Sequence, residues 1–375
     1  MFLIQKSRAL ESTCPSLVDA RFSMSEGKQL SRLSICIMRL SAIGDVTHVL
    51  PVVNAIRKHR PRAEITWIIG ELEARLLRGL PGVEFIVYDK QGGIGAIRQL
   101  RKALSGRRFD VLMQMQVAAR ANLLSMLVKS PLRIGWDKPR WRDQHQWFIN
   151  RSVNSIAQQH QVDAFLEFAH VLELPAAPPE WNLAVSEDDA AWARQVLGDG
   201  LPILMISPCS SHPLRNWSSK RYAQVADYAV AKLPMRVVLI GGPSELELQT
   251  GRAIESAMRH KPLNLIGKDT IKQSVALLQQ AGLVISPDSG PAHLASAVGT
   301  RVIGLYAATP SRRSGPYLSL DLCVDKYTAA ARKFKHKEPE ELRWGQRIEF
   351  PGVMDLIETN DVIEKLDAFV GLHVT

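Results

Sequence analysis

Cysteine is scarce in this sequence and shows no pairing pattern. Cys14, Cys36, Cys209 and Cys323 form no Cys-x-x-Cys pair and no Cys/His cluster at zinc-ligand spacing. This argues against a disulfide framework or a structural zinc site and fits reduced thiols in a cytosolic setting. Long apolar runs are missing as well. Stretches such as Val49 to Ile56 and Leu201 to Ile206 fall well short of the roughly 20 residues that cross a bilayer. The N-terminal region lacks the continuous apolar core of about 7–15 residues that marks a secretory signal. Several enzyme signatures are absent too. No GxGxxG follows the first predicted strand, which counts against a nicotinamide dehydrogenase, and there is neither a GxxxxGK[ST] phosphate loop nor a GxSxG elbow. No Asp-x-Asp pair is available to hold a divalent ion on a diphosphate. Charge neutralisation by arginine and helix ends is expected instead, with no metal and no cofactor.

What is present points to a globular protein of two parts. At about 150 residues per domain, 375 residues predict two domains and a short extra element. A hydrophobic fraction of 46% with 22% charged residues excludes global disorder. The formal charge of +10 is uneven: residues 1–180 carry 25 Lys and Arg against 16 Asp and Glu, and residues 181–375 carry 22 against 21. A basic first half suits an anionic partner, although a solvated basic face explains it equally. The clusters Arg57 to Arg62, Arg98 to Arg108 and Arg133 to Arg142 come with no RRM, KH, zinc-finger or helix-turn-helix pattern. Nucleic acid is therefore not the expected partner.

Short β-branched runs alternate with helix-period segments, the pattern of a doubly wound α/β protein. In the first half the strands are predicted near 33–39, 64–69, 83–88 and 110–115, with helices near 46–59, 94–104, 118–129 and 161–173. Three prolines in Leu174 to Glu180 stop the rhythm and predict an interdomain connector. The rhythm resumes with strands near 203–207, 236–240, 263–266, 283–286 and 301–305, and helices near 218–232, 244–259, 271–280 and 290–298. The expected organisation is a poorly ordered extension over 1–32, domains over 33–180 and 181–350, and a final helical segment over 351–375. That segment contains Val362 to Val370 and is expected to fold back on the first domain. Residues 333–347 read as a polar loop. Ligands of such folds bind at the carboxyl ends of the strands.

Three loops at such ends carry candidate chemistry. Arg39 to Val46 leads from the first strand into the first long helix, and Asp45 lands near the helix start. A cap accounts for it. Its place facing the cleft also allows a carboxylate, kept ionised by the helix end, to take a proton from a substrate hydroxyl. His48, one turn on, either assists or packs, and packing is the preferred expectation. Between Ser207 and Trp217 lie Ser210, Ser211 and Arg215, which suit a diphosphate or a merely polar loop. The string Ser286 to Ala295 contains Asp288, Ser289, Gly290 and His293 at another helix start, an arrangement that forms an anion site or a cap and turn. Glu245, after Gly241-Gly242-Pro243-Ser244, is a candidate for ribose hydroxyls or a surface acid, and Gly267 to Thr270 for the base pocket.

The strings RLSAIGDVTHVLPV at 39–52, SSHPLRNW at 210–217, GGPSE at 241–245 and DSGPAHLASAVG at 288–299 together resemble the ADP-heptose:lipopolysaccharide heptosyltransferases, glycosyltransferase family 9. The resemblance covers about residues 33–325, with the motifs in family order. It implies a GT-B fold of two Rossmann-like domains facing across a cleft, with the acceptor on the first domain and the ADP-sugar on the second. It also implies inverting transfer with Asp45 as general base. The basic phosphate-binding position, often Lys in relatives, falls on Arg215. The hydroxyl pair falls on Ser210 and Ser211, the ribose acid on Glu245, the D-[ST]-G-x-x-H string on Asp288, Ser289, Gly290 and His293, and the acceptor side on Gln116 and Arg120. The implied partners are ADP-heptose and Kdo on lipid A, the inner core of lipopolysaccharide, with Kdo either phosphorylated or not. The first-heptose (heptosyltransferase I-like) branch is preferred on the basic stretch Arg133 to Arg142. The implied location is cytoplasmic, peripheral to the anionic cytoplasmic face of the inner membrane. Alternatives from other classes are a non-hydrolysing sugar-nucleotide epimerase and a non-catalytic module that binds nucleotide or lipopolysaccharide.

Overall fold

The computed structural model describes residues 32–371. Apart from Arg32, the extension expected over 1–32 lies outside the described residues.

From Ser34 onward strand and helix alternate: β1 (Ser34–Met38), α1 (Ile43–His59), β2 (Glu64–Gly70), α2 (Glu71–Leu76), β3 (Val83–Tyr88), α3 (Gly93–Ala103), β4 (Val111–Gln114), α4 (Ala119–Ser125), β5 (Leu132–Gly135), β6 (Arg151–Ser152) and α5 (Gln161–His170). The strands make one parallel sheet in the order β3-β2-β1-β4-β5-β6. The central strand β1 is apolar and buried from Cys36 to Met38, as a strand covered on both faces requires. Its register sets Cys36 opposite both Thr66 and Leu112.

The second half repeats the scheme with α6 (Glu187–Leu197), β7 (Ile203–Ile206), α7 (Ser219–Lys232), β8 (Arg236–Leu239), α8 (Glu245–Ala257), β9 (Leu263–Asn264), α9 (Ile271–Gln280), β10 (Leu283–Pro287), α10 (Gly290–Ala297), β11 (Val302–Tyr306), α11 (Ser311–Ser314), β12 (Val324–Asp325), α12 (Tyr327–Ala330) and α13 (Thr359–Gly371). Its parallel sheet runs β12-β11-β10-β7-β8-β9. Counted from β1 or from β7, each sheet has the order third, second, first, fourth, fifth, sixth. Each therefore has a switch point beside its first strand, between β1 and β4 in one and between β7 and β10 in the other. Side-chain caps fix several helix starts: Ser186 accepts from the N–H of Asp189, Ser244 from Glu247, and Thr270 from Gln273.

The strands and helices expected from the pattern are all present, with ends shifted by a few residues. The elements α2, β5, β6, α6, α11, β12 and α12 were not expected. The terminal helix departs from expectation in its position. α13 packs on α7, β11 and β12, not on the first domain. Its stripe of Val362, Leu366 and Phe369 completes the apolar core of the second half, and Lys326 Nζ fixes Asp361 at 2.7 Å.

The two halves share a continuous apolar core in which Val46, Val49 and Phe165 join Ala292, Leu294 and Ala295. The connector at Leu174 to Glu180 lies along α1, where Asn54 Nδ2 donates to the Glu180 carbonyl at 2.7 Å and Lys58 pairs with its carboxylate at 2.8 Å. Polar ties also cross between the halves. Tyr317 Oη donates to Asp163 at 2.7 Å, Arg343 Nη2 to the Pro139 carbonyl at 2.8 Å, and Trp344 Nε1 to the Gln159 carbonyl at 3.1 Å.

Candidate active site

The carboxyl edges of the two sheets face each other, and there the starts of α1 and α10 meet end against end. A Cβ placed on Gly44 would lie 2.6 Å from Cδ2 of His293, and one on Gly290 would lie 3.4 Å from Cγ2 of Ile43. Glycine at 44 is therefore what allows the first half to approach the DSGPAH turn. His48, one turn along α1, is buried as expected, yet it also reaches across: its Nε2 lies 3.2 Å from Nδ1 of His293.

Asp45 stands at this junction. It is the third residue of α1, and the cap position belongs to Ala42, which corrects the expectation of an Asp cap. The helix simply starts earlier than the apolar pattern suggests. The Asp45 carboxylate pairs with Arg39, accepts from Gln161 Nε2 at 2.5 Å, and lies 3.4 Å from the Ala42 N–H. Arg39 is itself held by the Met115 carbonyl at 2.7 Å. Asp45 is thus oriented from three directions while remaining part-exposed to the cleft. Of the two acceptor-side candidates, one adjoins this loop and the other lies on the surface. Gln116 accepts from the Leu40 N–H at 2.7 Å and so shapes the β1–α1 loop, and exposed Arg120 donates to the Lys90 carbonyl at 2.7 Å.

Across the junction the candidates of the second half converge. Buried Arg215 donates from Nη2 to Ser211 Oγ at 2.8 Å, lies 3.9 Å from Asp288 through Nη1, and 3.4 Å from Glu349 through Nε. Ser210 is occupied with its own loop: its hydroxyl donates to the His212 carbonyl at 3.0 Å and its N–H donates to Asn216. Asp288 lies 3.7 Å from His293 Nε2 and 3.5 Å from Ser314 Oγ. Burial pushes its carboxyl up, but His293, Thr309 and the charge of Arg215 outweigh burial and hold it below the ordinary value. Ser289 bonds Ser286 at 2.8 Å and does not cap α10 with its side chain. The first-turn N–H groups of α10 therefore have no side-chain cap at the N-terminus, the arrangement that attracts an anion.

Glu245 is not brought into this group. It is exposed on α8, where it pairs with Arg252 at 3.3 Å and accepts from Gln249. The acid that folds under the glycine turn is Glu247, which accepts from the Gly242 N–H at 2.7 Å. Gly267, at φ +73°, packs against Pro243 and donates to the Gly241 carbonyl at 2.9 Å, so the turns after β8 and β9 form one wall.

Several residues of the site carry no motif signal. Arg39, the first residue of the 39–52 string, was given no role of its own there and pairs with Asp45. Gln161, His160, Arg313 and Glu349 reach the site only through the fold. His160 accepts from the Val162 N–H through Nδ1, so its proton sits on Nε2 and is donated to the Gly315 carbonyl at 3.1 Å. Burial drives His160 down to about 4 and His48 well below the usual imidazole range.

Comparisons with known proteins accord with this geometry. Residues 97–344 match the model of glycosyltransferase family 9 (heptosyltransferase). The chain belongs to that family. Within it, the lipopolysaccharide core heptosyltransferase OpsX of Haemophilus influenzae is 39% identical over 333 residues, 89% of this chain and 96% of that one. Two Escherichia coli structures share the fold. ADP-heptose lps heptosyltransferase II has a TM-score of 0.70 at 20% identity, covering 92% of this chain and 100% of its own. Heptosyltransferase WaaC with ADP has a TM-score of 0.67 at 18% identity, covering 90% and 100%. The heptosyltransferase fold is accordingly GT-B, two Rossmann-like domains facing across a cleft.

The buried histidines give this heptosyltransferase an acid sensitivity. In the unfolded chain an imidazole protonates near its ordinary value of about 6.5, whereas folded His160 resists protonation until about 4. Between these values the unfolded state binds more protons, so stability is full above the upper value and falls as pH drops toward the lower. Urea unfolding at stepped pH is expected to show a falling midpoint across this window, less steeply in His160→Gln. A midpoint flat from pH 7 to pH 4.5 would contradict the buried neutral histidines.

Proposed function

We propose that this heptosyltransferase moves a heptose from ADP-heptose to Kdo of the lipopolysaccharide inner core, with inversion at the anomeric carbon. The observation that carries the reading is the meeting of Asp45 on one helix start with Arg215, Asp288 and the uncapped start of α10 on the other. The 39% identity to a protein named a lipopolysaccharide core heptosyltransferase supports the substrate class. In this scheme Asp45, aimed by Arg39 and Gln161, removes the proton of the acceptor hydroxyl as its oxygen attacks the anomeric carbon. The carbon–oxygen bond to ADP breaks on the opposite face. Charge developing on the diphosphate is met by Arg215, Ser211 and the N–H groups at Ser289 and Gly290. His293 and Asp288 hold that turn against α1, and Ser210 keeps the loop of Arg215 in shape. We assign the first-heptose step, with Kdo as the direct acceptor.

We further propose that the first domain rests on the anionic face of the membrane that displays this acceptor. Among the described residues no helix is long and apolar enough to cross a membrane. α3 and α4 pack their inner sides on one apolar cluster through Ala96, Leu100, Ala121 and Leu124. Their outer sides expose Ile94 (70%), Leu123 (61%) and Met126 (65%), with Trp147 (76%) beside α4. The exposed residues Arg98, Arg101, Lys102, Arg108 and Lys129 lie on these helices or just beyond their ends, a mixture that suits the interface of an anionic bilayer.

Three measurements test these assignments. Asp45→Asn should bind ADP-heptose normally and lose turnover by about 10²–10⁴, with near-normal turnover removing the base assignment. Arg215→Ala should weaken ADP-heptose binding by about 10–100-fold in calorimetry, and unchanged affinity would refute the phosphate contact. In vesicle co-sedimentation the protein should prefer anionic to zwitterionic lipid, and Ile94→Ser with Trp147→Ser should release it. Equal binding to both vesicle types, or no effect of the substitutions, would contradict the docking face.

A further inference from the structure

Arg313 belongs to none of the roles given above, yet its helix borders Asp288. It lies in α11, and that short helix is fixed on every side. Ser311 is held through its N–H and Oγ by Asp325 at 2.8 and 2.5 Å. The Ser314 carbonyl accepts from Tyr306 Oη at 2.9 Å, and Ser314 Oγ lies 3.5 Å from Asp288. The adjacent Gly315 carbonyl is held by His160, whose neighbour Gln161 donates to Asp45. α11 therefore sits between the two carboxylates, touching one directly and reaching the other through α5. The Arg313 side chain lies flat against Gly345, where any Cβ would collide with its Cδ, Nε and Cζ. Gly345 adopts φ +74°, so both its conformation and the close approach favour glycine.

The guanidinium of Arg313 has no hydrogen-bond or ion-pair partner among the described residues. The charges that act on it are Asp45 and Asp288, together with two further arginines, Arg347 and Arg142, and burial disfavours its charge most of all. Arg142 comes from the first half and Arg347 from the second. Their segments are joined by the bonds of Arg343 to Pro139 and Trp344 to Gln159. Within the basic stretch that includes Arg142, Arg133 is used up on the Phe148, Val128 and Ser125 carbonyls, and Arg140 pairs with Asp137. Arg142 and Arg347 have no such partner among the described residues. The ties of Arg343 and Trp344 bring the segments of Arg142 and Arg347 together, and three like charges within range of one another favour an anion between them.

We propose that Arg313, with Arg142 and Arg347, forms a subsite for an anionic substituent of the acceptor sugar and holds it so that the acceptor hydroxyl meets Asp45. This rests on the acceptor reading above. The ligand chemistry is a carboxylate or a phosphate monoester, both of which match the planar fork of arginine. The donor diphosphate is served separately by Arg215 and the start of α10. Arg313 thus extends from the donor half to grip the acceptor and couples the two substrates across the cleft.

The test is initial-rate kinetics of the full chain with ADP-heptose and Kdo-lipid A, with and without phosphate on Kdo, for the wild type, Arg313→Ala and Arg313→Lys. In Arg313→Ala the acceptor KM should rise by about 10–100-fold, the scale of a charge-assisted hydrogen bond. ADP-heptose affinity by calorimetry should change by less than about twofold, and Arg313→Lys should recover part of the loss. A rise confined to phosphorylated acceptor identifies phosphate as the bound group, and an equal rise on both identifies the sugar carboxylate. An unchanged acceptor KM, or donor affinity weakened as much as acceptor affinity, overturns the subsite. Should the wild type transfer nothing, the reaction reading fails. Calorimetric titration with Kdo and with phosphorylated Kdo then judges the subsite alone: binding lost in Arg313→Ala supports it, and binding retained overturns it.

Discussion

Everything at the site depends on two helix starts, one from each half, packed end against end with glycine at the contact. A helix N-terminus carries the equivalent of about half a positive charge. Opposing two of them, and adding Arg39, Arg215 and Arg313, concentrates positive potential at one point. The protein offsets it with Asp45, Asp288 and Glu349, each set against an arginine. The arginines and helix starts outnumber these carboxylates, which under the proposed function leaves room for the anionic groups of the substrates. The same contact explains why Gly44 and His293, 249 positions apart in sequence, must be read together.

The two sheets make this contact possible because they have the same strand order. In each, the crevice opens beside the first strand, so the loops after β1 and β7 and after β10 emerge at carboxyl edges that face each other. Burial then fixes the pose. Phe165, Val46 and Val49 run into the apolar core of the second half, and His48 and His160 cross the interface as neutral imidazoles. The polar ties of Tyr317, Arg343 and Trp344 lie around this apolar contact and leave the carboxylates of Asp45 and Asp288 facing the cleft.

Most of the architecture was legible from the chain because its strands are short, apolar and regularly separated by helix-period segments. What escaped has identifiable causes. β5 is interrupted by Arg133, whose charge is spent on backbone carbonyls, and β6 and β12 have only two residues each. α6 did carry a signal, Ser186 before three acids and Gly198 after its end. The connector before it masked the pattern. The stripe of α13 was visible, but its destination was not, since a stripe of Val, Leu and Phe suits any open core.

The strings that carry Asp45, Arg215, Asp288 and His293 follow β1, β7 and β10, and the fold brings those three segments to one junction. The start of α8 presents two acids, and capping by Ser244 turns Glu247 inward while Glu245 stays exposed. Gln161 and Arg313 were out of reach: each is placed by long-range packing, and neither sits in a string that chemistry singles out. The most direct measurement of the account is a crystal structure of the protein with bound ADP-heptose. The account predicts the diphosphate on Arg215 and the start of α10, with the anomeric carbon turned toward Asp45. A diphosphate bound on the first domain, or a sugar turned away from Asp45, would contradict it.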